Sequence, residues 1–243
     1  MDESVRFGID GLDKILDGGL VPNSTVLVSG SPGTGKSILG LQFLYNGAEQ
    51  FDERGLYLTF EEQSDDLQAA AESLGLDRWA DLIEDGQIVV FDKHYLLEED
   101  DFYTTLDVIL DEFERNEVDR LVLDSLTMFQ LFFEDERERR TYLIKFADVL
   151  SANGVTSLFI NEQQGPFPET DIGLEHFLTD GNIYLTQVPT PSGVDRYLWV
   201  AKMRKKNIDT DFFPMEIGEG GITVHDNAAQ FSFIGGSDQF NSF

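Results

Sequence analysis

The chain of 243 residues is strongly acidic, with 46 Asp and Glu against 17 Lys and Arg and a formal net charge of −29. Such a surface repels the phosphates of nucleic acid at ordinary salt, and 41% hydrophobic with 12% aromatic residues exclude a disordered acidic protein. No 18-residue apolar run or apolar N-terminal segment occurs, which argues against a membrane span or a secretory signal. We expect one cytoplasmic α/β domain at residues 1–225, followed by a flexible tail at 226–243.

The acidic residues are spread along the whole chain and are not gathered in one tail. At very high ionic strength the Debye length falls to about 3 Å, so the self-repulsion of such a surface is screened. The composition therefore indicates a halophilic cytoplasm, such as that of a haloarchaeon, where even nucleic-acid-binding proteins are acidic. The absence of cysteine excludes disulfides and thiolate metal sites.

Short apolar runs alternate with longer segments of helical spacing over most of the chain. The predicted strands are Val26–Ser29, Gly55–Phe60, Gln87–Phe91, Arg120–Asp124 and Thr156–Asn161. The predicted helices are Ser37–Glu49, Asp65–Gly75, Thr104–Asn116 and Arg139–Asn153. Near the end, Ile183–Val188 and Tyr197–Met203 alternate as an antiparallel pair does, with the turn in Pro189–Gly193. This order predicts an α/β fold with a mostly parallel sheet, helices on both faces and an antiparallel C-terminal extension.

A glycine-rich loop, Gly30–Ser37, lies between the first predicted strand and the first predicted helix and reads Gly-Ser-Pro-Gly-Thr-Gly-Lys-Ser. Its backbone N–H groups can surround phosphate oxygens, Lys36 can reach the β- and γ-phosphates, and the Ser37 hydroxyl can bind Mg²⁺. The N-terminus of the following helix adds partial positive charge. An intact Lys-Ser pair disfavours a simple turn and predicts bound ATP and Mg²⁺. The predicted nucleotide contacts are Ser31, Pro32, Gly33, Thr34, Gly35, Lys36, Ser37 and Ile38.

Two other predicted strands end in carboxylates, which ATP hydrolysis requires. Asp124 follows three apolar residues and can hold metal-bound water while Ser37 binds the metal directly. Glu61 and Glu62 end the second strand and can orient the attacking water. Alternation along a strand predicts that only one of the two faces the γ-phosphate. The alternative is that both belong to a solvated acidic strand end.

Several motifs together resemble the RecA-type ATPases of the KaiC group. They are the loop Gly30–Ser37, the segments Tyr57–Glu62 and Leu121–Ser125, the opening Phe7–Leu20 and the late run Ala201–Arg204. The resemblance implies a RecA-like P-loop NTPase core with a single KaiC domain. It also implies a ring, commonly a hexamer, with ATP between subunits and with Glu61 and Glu62 as the paired catalytic glutamates.

The resemblance also implies that Lys202 and Arg204 reach the γ-phosphate bound by the neighbouring subunit. They lie two residues apart on a strand-like run and so share one face. A cation that arrives only when the ring closes can stabilise transition-state charge, as an arginine finger does. The alternative is a solvated basic cluster, because Lys205 and Lys206 follow directly.

Two polar segments bear on details of this resemblance. Asn161 or Gln163, at the end of the fifth predicted strand, can sense the γ-phosphate. His176 and Phe177 stand where clock members of the family carry a Ser-Thr phosphoacceptor pair, and Thr179 matches a position outside that pair. Circadian-type autophosphorylation at that pair is therefore not expected.

Three functions compete on these residues. The leading one is a KaiC-like ATPase whose hydrolysis cycle drives a regulatory or signalling switch through protein partners. The second is a recombinase paralogue that binds single-stranded DNA, although residues 163–173 contain no Lys or Arg. The third is an accessory subunit in which ATP occupancy matters more than turnover. The full set of glutamates and basic residues favours turnover.

Overall fold

The computed structural model describes residues 4–92, 109, 113, 117–130, 132–133, 135–163, 173, 175–191 and 193–227. The predicted helix Thr104–Asn116 lies outside the described residues except at positions 109 and 113, and so does the predicted tail beyond residue 227. The division into a domain at 1–225 and a tail at 226–243 stays a prediction.

One sheet contains all nine strands of the described residues. They are β1 Thr25–Gly30, β2 Gly55–Thr59, β3 Ile88–Phe91, β4 Arg120–Asp124, β5 Thr156–Glu162, β6 Gly181–Thr190, β7 Gly193–Met203, β8 Phe213–Gly218 and β9 Gly221–Val224. Their order in the sheet is β3-β2-β4-β5-β1-β6-β7-β8-β9. Neighbours from β3 to β6 run parallel, and those from β6 to β9 run antiparallel. The predicted fold class is confirmed.

Helices cover both faces of the sheet. They are α1 Asp10–Ile15, α2 Lys36–Phe51, α3 Ser64–Ser73, α4 Trp79–Glu84, α5 Leu126–Gln130, α6 Glu136–Ala152 and α7 Glu175–Leu178. Two hydrophobic clusters result: Val26 and Val28 pack with α2 on one face, while Leu27 packs with the residues of α6 on the other. Burial on both faces explains why the parallel strands read as continuous apolar runs.

Several element boundaries differ from the predicted ones, and elements such as α4 and the hairpin of β8 and β9 were not predicted. The predicted turn Pro189–Gly193 is shorter, because β6 continues to Thr190 and β7 begins at Gly193. Beyond Leu185, β6 has β7 but no longer β1 beside it, and a strand with one partner tolerates a proline at position 189. The α6 helix begins three residues early, because the Asp135 carboxylate accepts the N–H groups of Arg137 and Glu138.

Parallel strands place their carboxyl ends at one edge of the sheet, where ligands of α/β proteins bind. The ends of β1, β2, β4 and β5 meet there. In the part of the chain that the structure describes, we find no helix with the length and hydropathy needed to span a membrane.

Candidate functional site

The loop between β1 and α2 needs glycine at several positions. Gly33 and Gly35 have φ angles of +79° and +102°, which side chains other than that of glycine rarely adopt. A Cβ on Gly30 would lie 2.5 Å from the carbonyl oxygen of Leu185, and one on Gly35 would lie 2.8 Å from Cδ1 of Ile217. Backbone N–H groups can therefore approach a ligand without obstruction.

The Lys36 ammonium is held at the centre of this loop. Its Nζ donates to the carbonyl oxygen of Ser31 at 3.2 Å, and the Thr34 hydroxyl donates to the same oxygen at 2.8 Å. Burial lowers the pKa of Lys36, while the carboxylates of Glu162, Asp124 and Glu61 oppose that shift. Three carboxylates around one ammonium leave an excess of negative charge, which favours a further cation at this place.

The predicted metal residues are brought together. Asp124 is 5% exposed, its Oδ2 accepts the Tyr57 hydroxyl at 2.8 Å, and the Ser37 hydroxyl lies close enough to affect its pKa. Burial raises the pKa of Asp124, and the hydrogen bonds from Ser37 and Tyr57 counteract the rise. A hydroxyl and a carboxylate in contact are the hard oxygen donors that Mg²⁺ prefers, so these residues fit the ion that the loop implies.

Glu61 and Glu62 lie just beyond β2, and strand alternation does not govern their directions. Both backbone N–H groups donate to the Thr59 hydroxyl, at 3.2 and 3.1 Å, which turns the chain sharply. The Glu61 carboxylate accepts a short hydrogen bond from the Ser125 hydroxyl and acts electrostatically on Lys36 and Asp124. Burial raises the pKa of the Tyr57 hydroxyl, and the negative charge of Glu62 adds to the rise. Strand alternation ends at Thr59 and does not decide which glutamate faces the site, so the expectation that only one of them does stays a prediction.

The end of β5 contributes to the loop through its backbone. The Gln163 N–H donates to the carbonyl oxygen of Gly30 at 3.1 Å, whereas Asn161 lies within 3.5 Å of the Thr127 hydroxyl in α5. Among the described residues, Nε2 of Gln163 is buried and has no hydrogen-bond partner. Of the two proposed γ-phosphate sensors, Gln163 is therefore the one joined to the phosphate loop. The charge of Glu162 raises the pKa of Lys36, and this residue was not predicted although it ends the strand paired with β1.

A cleft of about 340 Å³ lies at the paired strands β7 and β8, and its lining includes Arg196, Met215 and Ile217. The sequence did not predict this cleft. Arg196 and Met215 are register partners in the two strands, and Cε of Met215 lies near Gly35 of the phosphate loop. Among the described residues, Nε of Arg196 is buried and has no hydrogen-bond partner. The lining combines apolar side chains such as Met215 and Ile217 with polar ones such as Arg196, and a nucleotide base needs both packing surface and hydrogen-bond partners. The pairing of β7 with β8 builds this cleft, and no local motif signals it.

Lys202 and Arg204 lie at the opposite edge of the sheet. The Arg204 N–H donates to Asp180, whose own N–H donates to Thr25, so Arg204 is level with the start of β1. Gly30 lies five residues further along β1, about 16 Å at ~3.3 Å per residue. The structure therefore does not bring the basic pair to the phosphate loop of its own chain.

Both cations are held by the segment around α7. Nζ of Lys202 donates to the carbonyl oxygens of His176 at 3.3 Å and Thr179 at 2.5 Å. Arg204 donates to the carboxylate of Asp180 and the carbonyl oxygen of Phe177, each at 3.3 Å. Burial lowers the pKa of Lys202, with Arg204 as a second cause. Both side chains therefore have hydrogen-bond partners in their own chain, while Arg204 remains half-exposed.

The residues at the clock phosphoacceptor positions differ in exposure. His176 is 4% exposed and stacks on Tyr184 with 5.7 Å between ring centroids, while Phe177 is 65% exposed. The Thr179 hydroxyl is buried and donates to Asn182 at 2.8 Å. The burial of His176 and Thr179 comes from packing against β6.

A phosphate-binding loop after β1 and an aspartate at the end of β4, a parallel strand separated from β1 only by β5, define a P-loop ATPase domain with a RecA-like fold. Residues 5–229 match the family model described as "ATPase: KaiC", and the chain belongs to this family.

Relatives and one solved structure agree with this assignment. The circadian clock oscillator protein KaiC of Synechococcus elongatus is 30% identical over 90% of this chain and 44% of its own length. A UPF0273 protein of Sulfurisphaera tokodaii is 31% identical over 90% of this chain and 81% of its own. A crystal structure of a KaiC-like protein from Pyrococcus horikoshii OT3 superposes with a TM-score of 0.81 at 32% identity, covering 92% of this chain and 99% of that one. The chain spans less than half the length of the clock relatives it matches.

Proposed function

We propose that this protein binds ATP with Mg²⁺ and hydrolyses it to ADP and phosphate between the subunits of a ring. The observation that carries the proposal is the contact of Ser37 with Asp124, beside Lys36 and Glu61, at the end of the phosphate loop. A metal residue, a phosphate-binding cation and a carboxylate for water activation meet there, which is the set that phosphoryl transfer to water requires.

Residues 31–38 and the Lys36 ammonium bind the phosphates in this proposal. The Ser37 hydroxyl binds the metal and Asp124 accepts hydrogen bonds from metal-bound water. Magnesium, when bound, neutralises charge on the phosphate oxygens. The cleft lined by Arg196 and Ile217 takes the base.

Glu61 is the better placed of the two glutamates to orient the attacking water. Ser125 fixes its carboxylate, and its charge acts on both Lys36 and Asp124. Glu62 acts on the site through Tyr57. We assign the main role of general base to Glu61 and a supporting role to Glu62.

Lys202 and Arg204 act on the nucleotide of a neighbouring subunit in this proposal. Their own loop is the length of β1 away, so they can contact a γ-phosphate only across an interface. A hexamer is the ring we propose, by similarity to the family. Exchange of carbonyl contacts in α7 for a neighbour's phosphate gives the ring two states, which partner proteins can read as a regulatory switch.

The test is ATP hydrolysis by the purified protein in multimolar KCl, with and without Mg²⁺ and single-stranded DNA. We expect slow magnesium-dependent turnover that DNA does not change, and light scattering that shows a larger assembly with Mg-ATP. DNA stimulation would instead support the recombinase function, and tight binding without turnover would support an accessory subunit.

The proposal includes a cytoplasm of high ionic strength, such as that of a haloarchaeon, as the working environment. A net charge of −29 disfavours the compact state at low salt through self-repulsion. Unfolding measured against KCl concentration checks this: stability that falls as KCl rises from low to multimolar would contradict it.

A further inference from the structure

Tyr57 is a fully buried tyrosine in β2 whose hydroxyl lies at the metal end of the site. Its ring packs in the hydrophobic cluster on the α2 face together with Val122, its register partner in β4. A phenylalanine would fill the same space without bringing a polar atom into the core. Because a buried hydroxyl costs free energy unless it is hydrogen-bonded, its partner shows what it does.

The partner is the aspartate that we propose for the metal site. The Tyr57 hydroxyl donates to Oδ2 of Asp124 at 2.8 Å, and the nearby Ser37 hydroxyl lowers the pKa of both groups against the effect of burial. Three elements, β2, α2 and β4, thus each contribute one oxygen-bearing side chain to a closed group. Of these, Ser37 and Asp124 are the proposed metal residues and Tyr57 stands behind them.

The Tyr57 hydroxyl does more than satisfy its own hydrogen-bonding need in the core, because metal binding changes the role of Ser37. With its oxygen directed at a metal ion, Ser37 can no longer be the main restraint on Asp124. Tyr57 then remains the side-chain donor that holds the carboxylate, and a hydrogen bond to an ionised carboxylate is about twice as strong as one between neutral groups. Tyr57 is therefore suited to fix Asp124 in the state that binds the metal.

We propose that Tyr57 is a positioning residue whose hydroxyl holds Asp124 in place and so sets the magnesium affinity of the nucleotide complex. This inference rests on the proposed function of the site. Loss of a partner behind a metal ligand typically lowers metal affinity by ~10–100-fold, and we expect the low end of that range because Ser37 would still bind the metal directly.

The test is the variant Tyr57→Phe, examined by calorimetry with a non-hydrolysable ATP analogue in concentrated KCl. With the analogue present, the Mg²⁺ concentration that half-saturates the metal site should be about 10-fold higher for the variant than for the wild type. In EDTA, the affinity of the variant for the analogue should equal that of the wild type. Tyr184→Phe is the matched control, because Tyr184 is 7% exposed and stacks between His176 and Trp199 on β6. It should leave both quantities unchanged.

A double-mutant cycle with Asp124→Asn removes any remaining ambiguity. If Tyr57 acts through Asp124, adding Tyr57→Phe to that variant produces no further loss of magnesium affinity. Wild-type magnesium dependence in Tyr57→Phe overturns the inference and leaves the proposed function standing. An equal loss of affinity in EDTA and in Mg²⁺ also overturns it, because the hydroxyl would then support only the loop. Failure of the wild type to bind the analogue would overturn the proposed function itself.

Discussion

The two edges of the central sheet hold their charged side chains in different ways. At the carboxyl ends of the parallel strands, side chains from separate elements bond to one another, as Asp124 does with Ser37 and Tyr57. At the opposite edge, Lys202 and Arg204 bond mainly to the main-chain carbonyls of one short segment. The first edge can hold a phosphate chain with its own residues, whereas the second supplies cations with no phosphate loop of its own chain in reach.

In the proposed function, the two edges serve two steps of one reaction. Binding would require only the first edge, because the loop, the proposed metal residues and the proposed base cleft belong to one chain. Fast turnover would require both edges, since cations from another copy would stabilise the charge that develops on the γ-phosphate. Variants at the two edges should therefore separate binding from turnover.

The largest effect is expected from Lys36→Met, which removes the cation at the centre of the first edge. Loss of one member of a buried charge pair costs about 2–5 kcal/mol, so ATP affinity should fall by about 30-fold or more. Lys14→Met is the control, because Lys14 is exposed and pairs with Asp226 at the surface. Calorimetric titration with Mg-ATP measures both, and retained affinity in Lys36→Met would break the assignment of the phosphate loop.

The next largest effect concerns Glu61→Gln, which keeps the shape of the side chain but removes its charge. General-base catalysis is worth about 10²–10⁴-fold, so turnover should fall by at least about 100-fold while ATP binding is kept. Glu62→Gln should lose less, because the charge of Glu61 acts on Lys36 whereas that of Glu62 acts on Tyr57. Glu49→Gln, which disturbs only a surface ion pair with Arg78, is the control. A larger loss in Glu62→Gln than in Glu61→Gln would reverse the assignment of the base.

The basic pair gives the sharpest test of the comparison between edges. Lys202→Met and Arg204→Met should each keep ATP affinity and lower turnover by at least about 10-fold, because a finger cation stabilises only the transition state. Lys205→Met, at the next basic position, is the matched control.

Mixing two variants that are each impaired in turnover tests action across the interface. In a random 1:1 ring of Lys36→Met and Lys202→Met subunits, about a quarter of the interfaces combine an intact loop with an intact lysine. Turnover should then recover to about a quarter of the wild-type value per subunit. If mixed rings form but stay inactive, Lys202 does not act across the interface.

Much of the first edge could be predicted from sequence because its elements are local. The loop reads as one motif, and Asp124 follows a continuous apolar strand, so strand ends and residue types were enough. Tyr57 and Arg196 could not be predicted in the same way. Their roles depend on which strands pair and in what register, and contacts between β2 and β4 or between β7 and β8 join residues that no spacing rule relates.

The position of Lys202 and Arg204 along the strand direction could not be predicted from the sequence either. Its residues lie on one strand-like run, but their height along the sheet follows from the pairing of β7 with β6, which includes an irregularity between Asn182 and Ile183. The resemblance implied a contact with the neighbour, and only the register shows that the phosphate loop of the same chain is out of reach.

The smallest expected effect concerns Gln42, which ties α2 to the hairpin of β8 and β9. Its Nε2 donates to the carbonyl oxygens of Gly220 and Ile222 at 3.1 and 3.2 Å, and its Oε1 accepts the Ile222 N–H at 2.7 Å. The same hairpin carries Ile217, which lines the base cleft and approaches Gly35. Gln42 therefore joins the base cleft to the phosphate-binding helix.

Gln42→Leu should weaken ATP binding without weakening the binding of inorganic tripolyphosphate. The variant leaves buried backbone groups unpaired, at ~1–3 kcal/mol each, and loosens only the wall that contacts the base. We expect a loss of about 3- to 10-fold in ATP affinity, which corresponds to ~0.6–1.4 kcal/mol. The control is Gln68→Leu, because Gln68 lies on the exposed surface of α3 and pairs with Glu72. Equal losses for ATP and tripolyphosphate in Gln42→Leu would mean that the hairpin supports the whole first edge, and the separation between base cleft and phosphate loop would then fail.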